Sequence, residues 1–284
     1  WTAPHDHPLA GEHRQLVAVP SRSGSHLIAF DAAGVGTVYD VTADGSAVVA
    51  TNRSIDLAAA WDLVEPFQIG GRNHLMAYSA ERGQFGFFPL AGDLSLRKPY
   101  LLARARGADA TTGYTMTQPI VVNGLVYLMC YDFDSGRVVI YALQVTATGA
   151  PPLKASSVWV HQWAPKWTRF AFFQLGGGTF FLKTNVGRLN VNIDHVLDDP
   201  ADGTIELGSH LELADALELQ LVRSFELEHG TPWFVGYRAD GHTTLNRFHP
   251  DCLGWTTTVS TETVADARHL VPFRHADRSH LLLC

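Results

Sequence analysis

The 284-residue chain is 46% hydrophobic and 17% charged, which supplies ample material for a buried core, and its 25 Gly and 14 Pro favour many turns over long helices. A formal charge of −7 without any run of like charges argues against a nucleic-acid backbone as partner, because phosphates are gripped by clustered Lys and Arg. No stretch approaches the roughly 18 consecutive apolar residues of a membrane-spanning helix, and the three cysteines, Cys130, Cys252 and Cys284, have no CxxC spacing and are too few for a disulfide scaffold.

The first element is an apolar run, "LVAVP" (16–20), followed by the turn "SRSGS" and then "SHLIAF", which ends at Phe30. The same sequence of events returns along the chain. "LVEPF" precedes "NHLMAY" ending at Tyr78, "TQPIV" precedes "VYLMCY" ending at Tyr131, and "AFFQL" precedes "TFFLKT" ending at Thr184. "LVRSF" precedes "PWFVGY" ending at Tyr237, and "LVPF" precedes "SHLLLC" ending at Cys284. The six copies are spaced by 48, 53, 53, 53 and 47 residues, so the chain is built from repeats. The Gly, Asn, Asp and Ser of the joining turns supply the backbone freedom and local hydrogen bonds that tight hairpins need.

A second turn and a third strand-like run follow five of the copies, "TVYDV", "QFGFF", "VVIYAL", "LNVNI" and "TLNRF", and a weaker fourth run such as "SSVWVHQW" closes the unit. Helical periodicity is absent except weakly in "LELADALEL" (211–219). In "HLMAY", His74, Met76 and Tyr78 point one way and Leu75 and Ala77 the other, so both faces are apolar and both must be covered. Four-stranded antiparallel sheets of about 50 residues, stacked radially, satisfy that pattern. The expectation is an all-β, single-domain β-propeller over residues 1–284, with six blades favoured and five possible. The repeats fall at approximately 13–60, 61–107, 108–166, 167–216, 217–267 and 268–284, the last closed by an outer strand from residues 1–12.

The repeated His is expected to pack. Its position holds His26, His74, Tyr127, Phe180, Trp233 and His280 in the six copies, and a site that also accepts Tyr, Phe and Trp behaves as a space filler. "PHDHP" (4–8) offers an adventitious His5–His7 chelator at most, and "DFDSG" and "DDPADG" read as turns, since neither has the twelfth-position Glu of an EF-hand. No nucleophile elbow, zinc-protease or phosphate-loop motif occurs, so no metal or cofactor is expected.

Two groups of residues are candidates for a site. Near the leading ends of the inner strands stand Trp61, Tyr114 and Trp167 at equivalent positions, with Asp62, Arg169, Arg268 and His269 nearby. Aromatics beside polar groups suit stacking on sugar faces. Within the apolar inner strands, Glu65 and Arg223 fall in repeats that a six-fold ring would oppose across the axis, with Gln118 beside Glu65. A charge there is costly unless paired or solvated.

In repeat length and architecture the whole chain resembles the lectin-type propellers, loosely the tachylectin-2-like group. The resemblance implies carbohydrate binding but carries over no binding residue; the inner-strand pattern itself offers Trp61, Asp62, Tyr114, Gln118, Trp167 and Arg169 as binding candidates, with several weak, similar sites and no turnover expected. The repeats here have diverged, which leaves room for one asymmetric site. The alternative is an enzyme with a single axial pocket for an apolar small molecule, a cyclase, isomerase, lyase or hydrolase, with Glu65, Arg223 and His269 as its acid–base groups. The expected partner is thus a glycan or small molecule. The chain opens at Trp1 without a signal-peptide pattern and reads as a processed or excised chain, secreted in preference to cytoplasmic.

Overall fold

The computed structural model describes residues 9, 12–21, 24–42, 47–103, 113–144, 154–185, 190–199, 204–213, 218–228, 230–275 and 278–284. The first sheet is β1 (Gln15–Ser21), β2 (Gly24–Phe30), β3 (Val35–Val41) and β4 (Val48–Asp56). The second is β5 (Leu63–Ile69), β6 (Arg72–Ser79), β7 (Gln84–Pro89) and β8 (Tyr100–Ala103). The third is β9 (Met116–Val122), β10 (Leu125–Tyr131), β11 (Arg137–Gln144) and β12 (Lys154–Gln162). The fourth is β13 (Trp167–Leu175), β14 (Gly178–Asn185), β15 (Asn190–Asp199) and β16 (Thr204–Leu213). The fifth is β17 (Leu221–Glu228), β18 (Thr231–Tyr237), β19 (His242–Phe248) and β20 (Trp255–Glu262). A final two-stranded sheet pairs β21 (Leu270–His275) with β22 (Arg278–Leu283).

Each sheet is an antiparallel meander in chain order. The inner strands are neighbours around an axis, and β21 lies between β17 and β1. The described residues therefore form a propeller of five complete four-stranded blades, with the two-stranded sheet at a sixth position. No helix occurs among them, and Leu211–Leu213 of the weakly helical stretch prolongs β16. The expected closing strand from residues 1–12 and the His5–His7 pair lie almost wholly outside the described residues.

The two-faced pattern of "HLMAY" has the expected cause. Leu75 and Ala77 enter the core shared with the first blade, beside Trp61 and Phe88. Met76 and Tyr78 enter the core shared with the third, beside Tyr114 and Tyr141. Corresponding cores lie between the third and fourth blades and between the fourth and fifth, and two smaller ones join the two-stranded sheet to the fifth blade and to the first. In four blades the pairing of the third and fourth strands shifts register near its middle, as between Ile193 and Asp194. Such bulges add twist, which the outer edge of a radial blade needs.

The aromatic at the end of the repeated pattern also carries a hydrogen bond between blades. The Tyr78 hydroxyl accepts the Tyr114 N–H at 3.2 Å, Tyr131 accepts the Trp167 N–H at 3.2 Å, and Tyr237 accepts the Ala267 N–H at 2.7 Å. Two of these hydroxyls also donate onward, Tyr131 to the Ala164 carbonyl at 3.2 Å and Tyr237 to that of Val264 at 2.8 Å. Each tyrosine thus ties the end of one blade to the start of the next.

The recurring His column packs rather than converges. His74 is buried and lies 5.3 Å from the Phe67 ring, while His280 stacks on Phe273 at 5.2 Å. His26 instead meets Asp40 at 2.7 Å, and Arg53 reaches the same carboxylate at 2.5 Å. In "DFDSG" the Asp132 carboxylate accepts the Asp134 N–H and the Ser135 hydroxyl, the bonds of a local turn.

Candidate functional site

The leading ends of five of the six inner strands carry a repeated backbone bond. The N–H groups of Arg14, Asp62, Thr115, Gln220 and Arg268 donate to a carbonyl at or next to the end of the second strand in their own unit, at 2.6–2.9 Å. The residues just before four of these donors, Trp61, Tyr114, Leu219 and Ala267, enter the core shared with the preceding blade. Trp61 and Tyr114 occupy these places, Trp167 opens β13 with its own N–H on the Tyr131 hydroxyl, and all three are buried, with 4–5% of their surface exposed. Trp61 meets Phe88 edge-on at 5.7 Å, and the Tyr114 hydroxyl lies 2.9 Å from that of Tyr141. The structure places these rings in three different interblade cores and does not bring them together.

Asp62 is exposed and fixes local backbone. Its carboxylate accepts the Ala80 N–H at 2.7 Å, and its carbonyl accepts Gln15 Nε2 at 2.7 Å. Gln118 lies on β9 and donates to the Pro119 carbonyl at 3.4 Å.

Glu65, Arg223 and His269 do come together. They line a cavity of about 200 Å³ on the axis, walled by the first halves of β1, β5 and β21 and by the start of β17, with Arg268 at its edge. Glu65 and Arg223 approach across it to 3.9 Å, the outer limit of an ion pair, and 23% of the Glu65 side chain and 47% of that of Arg223 stay exposed. The walls around them are apolar, including Val17, Val64, Leu270 and Val271. Burial pushes the Glu65 carboxyl above its usual range, and Arg223 pulls it back in part.

Arg169 stands on β13, beside β17. Its Nε donates to the Gln220 carbonyl and its Nη1 to that of Thr168 at 2.8 Å, so the guanidinium is fixed by backbone alone. The two strands are stitched again by the Ser224 hydroxyl, which donates to the Phe172 carbonyl. Burial and then the charge of Arg223 lower the Arg169 pKa, so the two cations sense each other. His269 Nε2 lies 3.3 Å from the His13 carbonyl. A carbonyl can only accept, so Nε2 carries the proton and Nδ1 keeps its lone pair. Burial is the main cause lowering the His269 pKa, with Arg223 and Arg268 acting in the same direction.

A second polar cluster lies between the third and fourth blades. Lys183 Nζ is 2.5 Å from Asp194 Oδ2, and both side chains are buried, 5% and 3% exposed. The ammonium sits 3.8 Å from the Trp163 ring centre and 4.7 Å from that of Trp167. Asn192 and Asn190 continue the row along β15, and Asn190 Nδ2 donates to Glu212 at 3.0 Å. Among the described residues, Oδ1 of Asn190, Asn192 and Asp194 and Nε1 of Trp167 are buried without a hydrogen-bond partner. This cluster was not among the candidates read from the sequence, although it leaves a signal there. The place of Lys183 is held by Ala29, Ala77, Cys130 and Gly236 in the other complete blades, where small residues leave room for the ring or side chain above.

Fold and cavity together define the chain as a β-propeller with one asymmetric axial cavity. No protein-family model matches the sequence, and no curated protein matches it. Among solved structures, a candidate 6-phosphogluconolactonase from Bacteroides fragilis is similar, at 15% identity and a TM-score of 0.56, over 94% of this chain and 76% of that one. The SapL1 lectin in complex with alpha methyl fucoside has 10% identity and a TM-score of 0.55, over 90% and 83%. The periplasmic gluconolactonase of Pseudomonas aeruginosa has 13% identity and a TM-score of 0.51, over 94% and 87%. At these identities the likeness establishes the propeller fold alone.

Proposed function

We propose that the chain is a lectin-like, carbohydrate-binding propeller with one binding site, on its axis. The observation that carries this reading is the convergence of Glu65, Arg223, Arg268 and His269 on one cavity with apolar walls. A few fixed polar groups on an apolar wall are what orient a small polar ligand. At about 200 Å³ the cavity is smaller than the roughly 300–1,000 Å³ of drug-sized sites, which suits a single sugar unit. Two of the similar propellers are named for sugar lactones and one for a bound fucoside, which supports a sugar-derived ligand. In this reading Trp61, Tyr114 and Trp167 set blade spacing, while Asp62, Gln118 and Arg169 order the rim around the cavity.

Titration calorimetry against a panel of monosaccharides and sugar acids tests it. The expected result is one site per chain, lost in Arg223→Ala with the melting temperature retained. Two or more equivalent sites, or binding indifferent to both Arg223→Ala and Glu65→Ala, would overturn it. A second reading is favoured by the raised pKa of Glu65 and the free Nδ1 of His269. There Glu65 activates a water against a bound sugar lactone, and Glu65→Gln abolishes hydrolysis while binding persists.

A further inference from the structure

Three guanidinium groups gather at the axial end of an acidic chain, and one carboxylate faces them. Arg223 has Glu65 at 3.9 Å, while Arg169 and Arg268 have no carboxylate within ion-pair distance among the described residues. Arg169 is held toward its neighbour by backbone bonds rather than by a counter-ion. Holding like charges together beside an apolar cavity is unfavourable unless an anion joins them. The single resident carboxylate offsets one of the three charges and does so at the limit of contact. The chain as a whole is −7, so this local excess of positive charge runs against the composition.

We propose that the axial cavity is an oxyanion site, taking the carboxylate or phosphate group of its ligand between Arg223 and Arg268. Arg guanidinium groups match both oxyanions through paired N–H donors. Arg169 acts as a positioning residue: tied to Gln220 and Thr168, it stands behind Arg223 and keeps that side chain turned toward the cavity by charge repulsion. Glu65 is the competing resident anion and draws away when the ligand enters. The proposal rests on the axial-site reading above and adds the chemical class of its ligand.

The test is equilibrium binding at low salt with four probes: glucose, gluconate, glucose 6-phosphate and inorganic phosphate. Gluconate and glucose 6-phosphate are expected to bind at least tenfold tighter than glucose, with affinity falling as salt rises. Inorganic phosphate should compete with both. Arg223→Gln and Arg268→Gln should each weaken the charged probes tenfold or more, and by a larger factor than they weaken glucose, and Arg169→Gln should weaken them less. Glu65→Gln should tighten them several-fold, a gain that a folding defect cannot mimic. Equal affinity for glucose and gluconate, abolished by Val271→Trp within the cavity, would overturn the oxyanion proposal and keep the axial site. Binding of the charged probes that Val271→Trp and the Arg variants leave untouched would overturn both. Loss of gluconate binding with glucose 6-phosphate retained assigns the oxyanion as phosphate, and the reverse assigns it as carboxylate.

Discussion

Replacing Lys183 by Met isolates the energetics of the buried pair between the third and fourth blades. The change removes the ammonium 2.5 Å from Asp194 Oδ2 and leaves the carboxyl enclosed, with Oδ1 already lacking a partner. Removing one member of a buried pair costs about 3–5 kcal/mol, because the remaining charge is stranded. An unfolding entropy of about 2.1 cal/mol/K per residue over 284 residues converts this to a melting temperature lowered by about 5–8 °C. The loss depends on pH in a definite direction. Burial raises the Asp194 carboxyl above its ordinary value in the fold, so the folded state binds the proton more tightly than the unfolded chain. Stability then falls as pH rises through that window, and without Lys183 the effect grows. The deficit should be smaller near about pH 5 than near about pH 8. A Lys183→Met/Asp194→Leu double variant should regain most of it, since neither charge is then desolvated. Calorimetric scans of the three proteins at both pH values decide the matter. A single variant that loses under about 1 kcal/mol near pH 8, or a double variant no better than the single, would refute the view that this pair is dry and mutually dependent.

Other expectations follow from the blades and the axis. Tyr237→Phe strands the buried Ala267 N–H, which donates to that hydroxyl at 2.7 Å, and should cost about 1–3 kcal/mol in chemical denaturation; no change would mean the tie is incidental. Gly86→Ala places a methyl 2.5 Å from Phe88 and 2.9 Å from Trp61, and overpacking of this kind should cost about 1–3 kcal/mol by the same measurement. Gly34→Ala should be worse, because φ is +86° and the new carbon would lie 1.9 Å from the Ala59 carbonyl oxygen. Glu65 is held above the usual carboxylate range by burial, against Arg223 across the cavity and with Arg268 and His269 beside it. Its ionisation therefore works against folding, so Glu65→Gln should gain melting temperature relative to the parent as pH rises, and a gain that shrinks instead would contradict the sign.

The fold was legible because packing leaves a periodic trace. "HLMAY" and its five cousins are apolar on both faces since each must meet two blades, and the terminal tyrosines recur because three of them bridge blades. The opposition of Glu65 and Arg223 was legible once the repeats were aligned, for a ring converts sequence spacing into position around an axis. The surroundings of Trp61, Tyr114 and Trp167 were not. A ring at the head of a strand reads the same in sequence whether it faces a ligand or the neighbouring blade, and only the interblade core it enters decides. Lys183 escaped because one lysine in an apolar strand looks like a solvated edge until its partner, eleven residues on, is seen to share its face.

The two-stranded sheet has a mechanical consequence. Among the described residues it meets the first and fifth blades through the two smallest cores of the ring, so it is the segment whose opening demands the least loss of contact, and amide exchange should be fastest there. The same sheet contributes Leu270 and Val271, and the residues just before it, Arg268 and His269, to the axial cavity. Whatever occupies that cavity binds only the closed ring and acts as a latch: each tenfold of concentration above its dissociation constant adds about 1.4 kcal/mol against opening. A ligand at the proposed axial site would thereby be coupled to the weakest seam, and protection of β21 from exchange would report its binding.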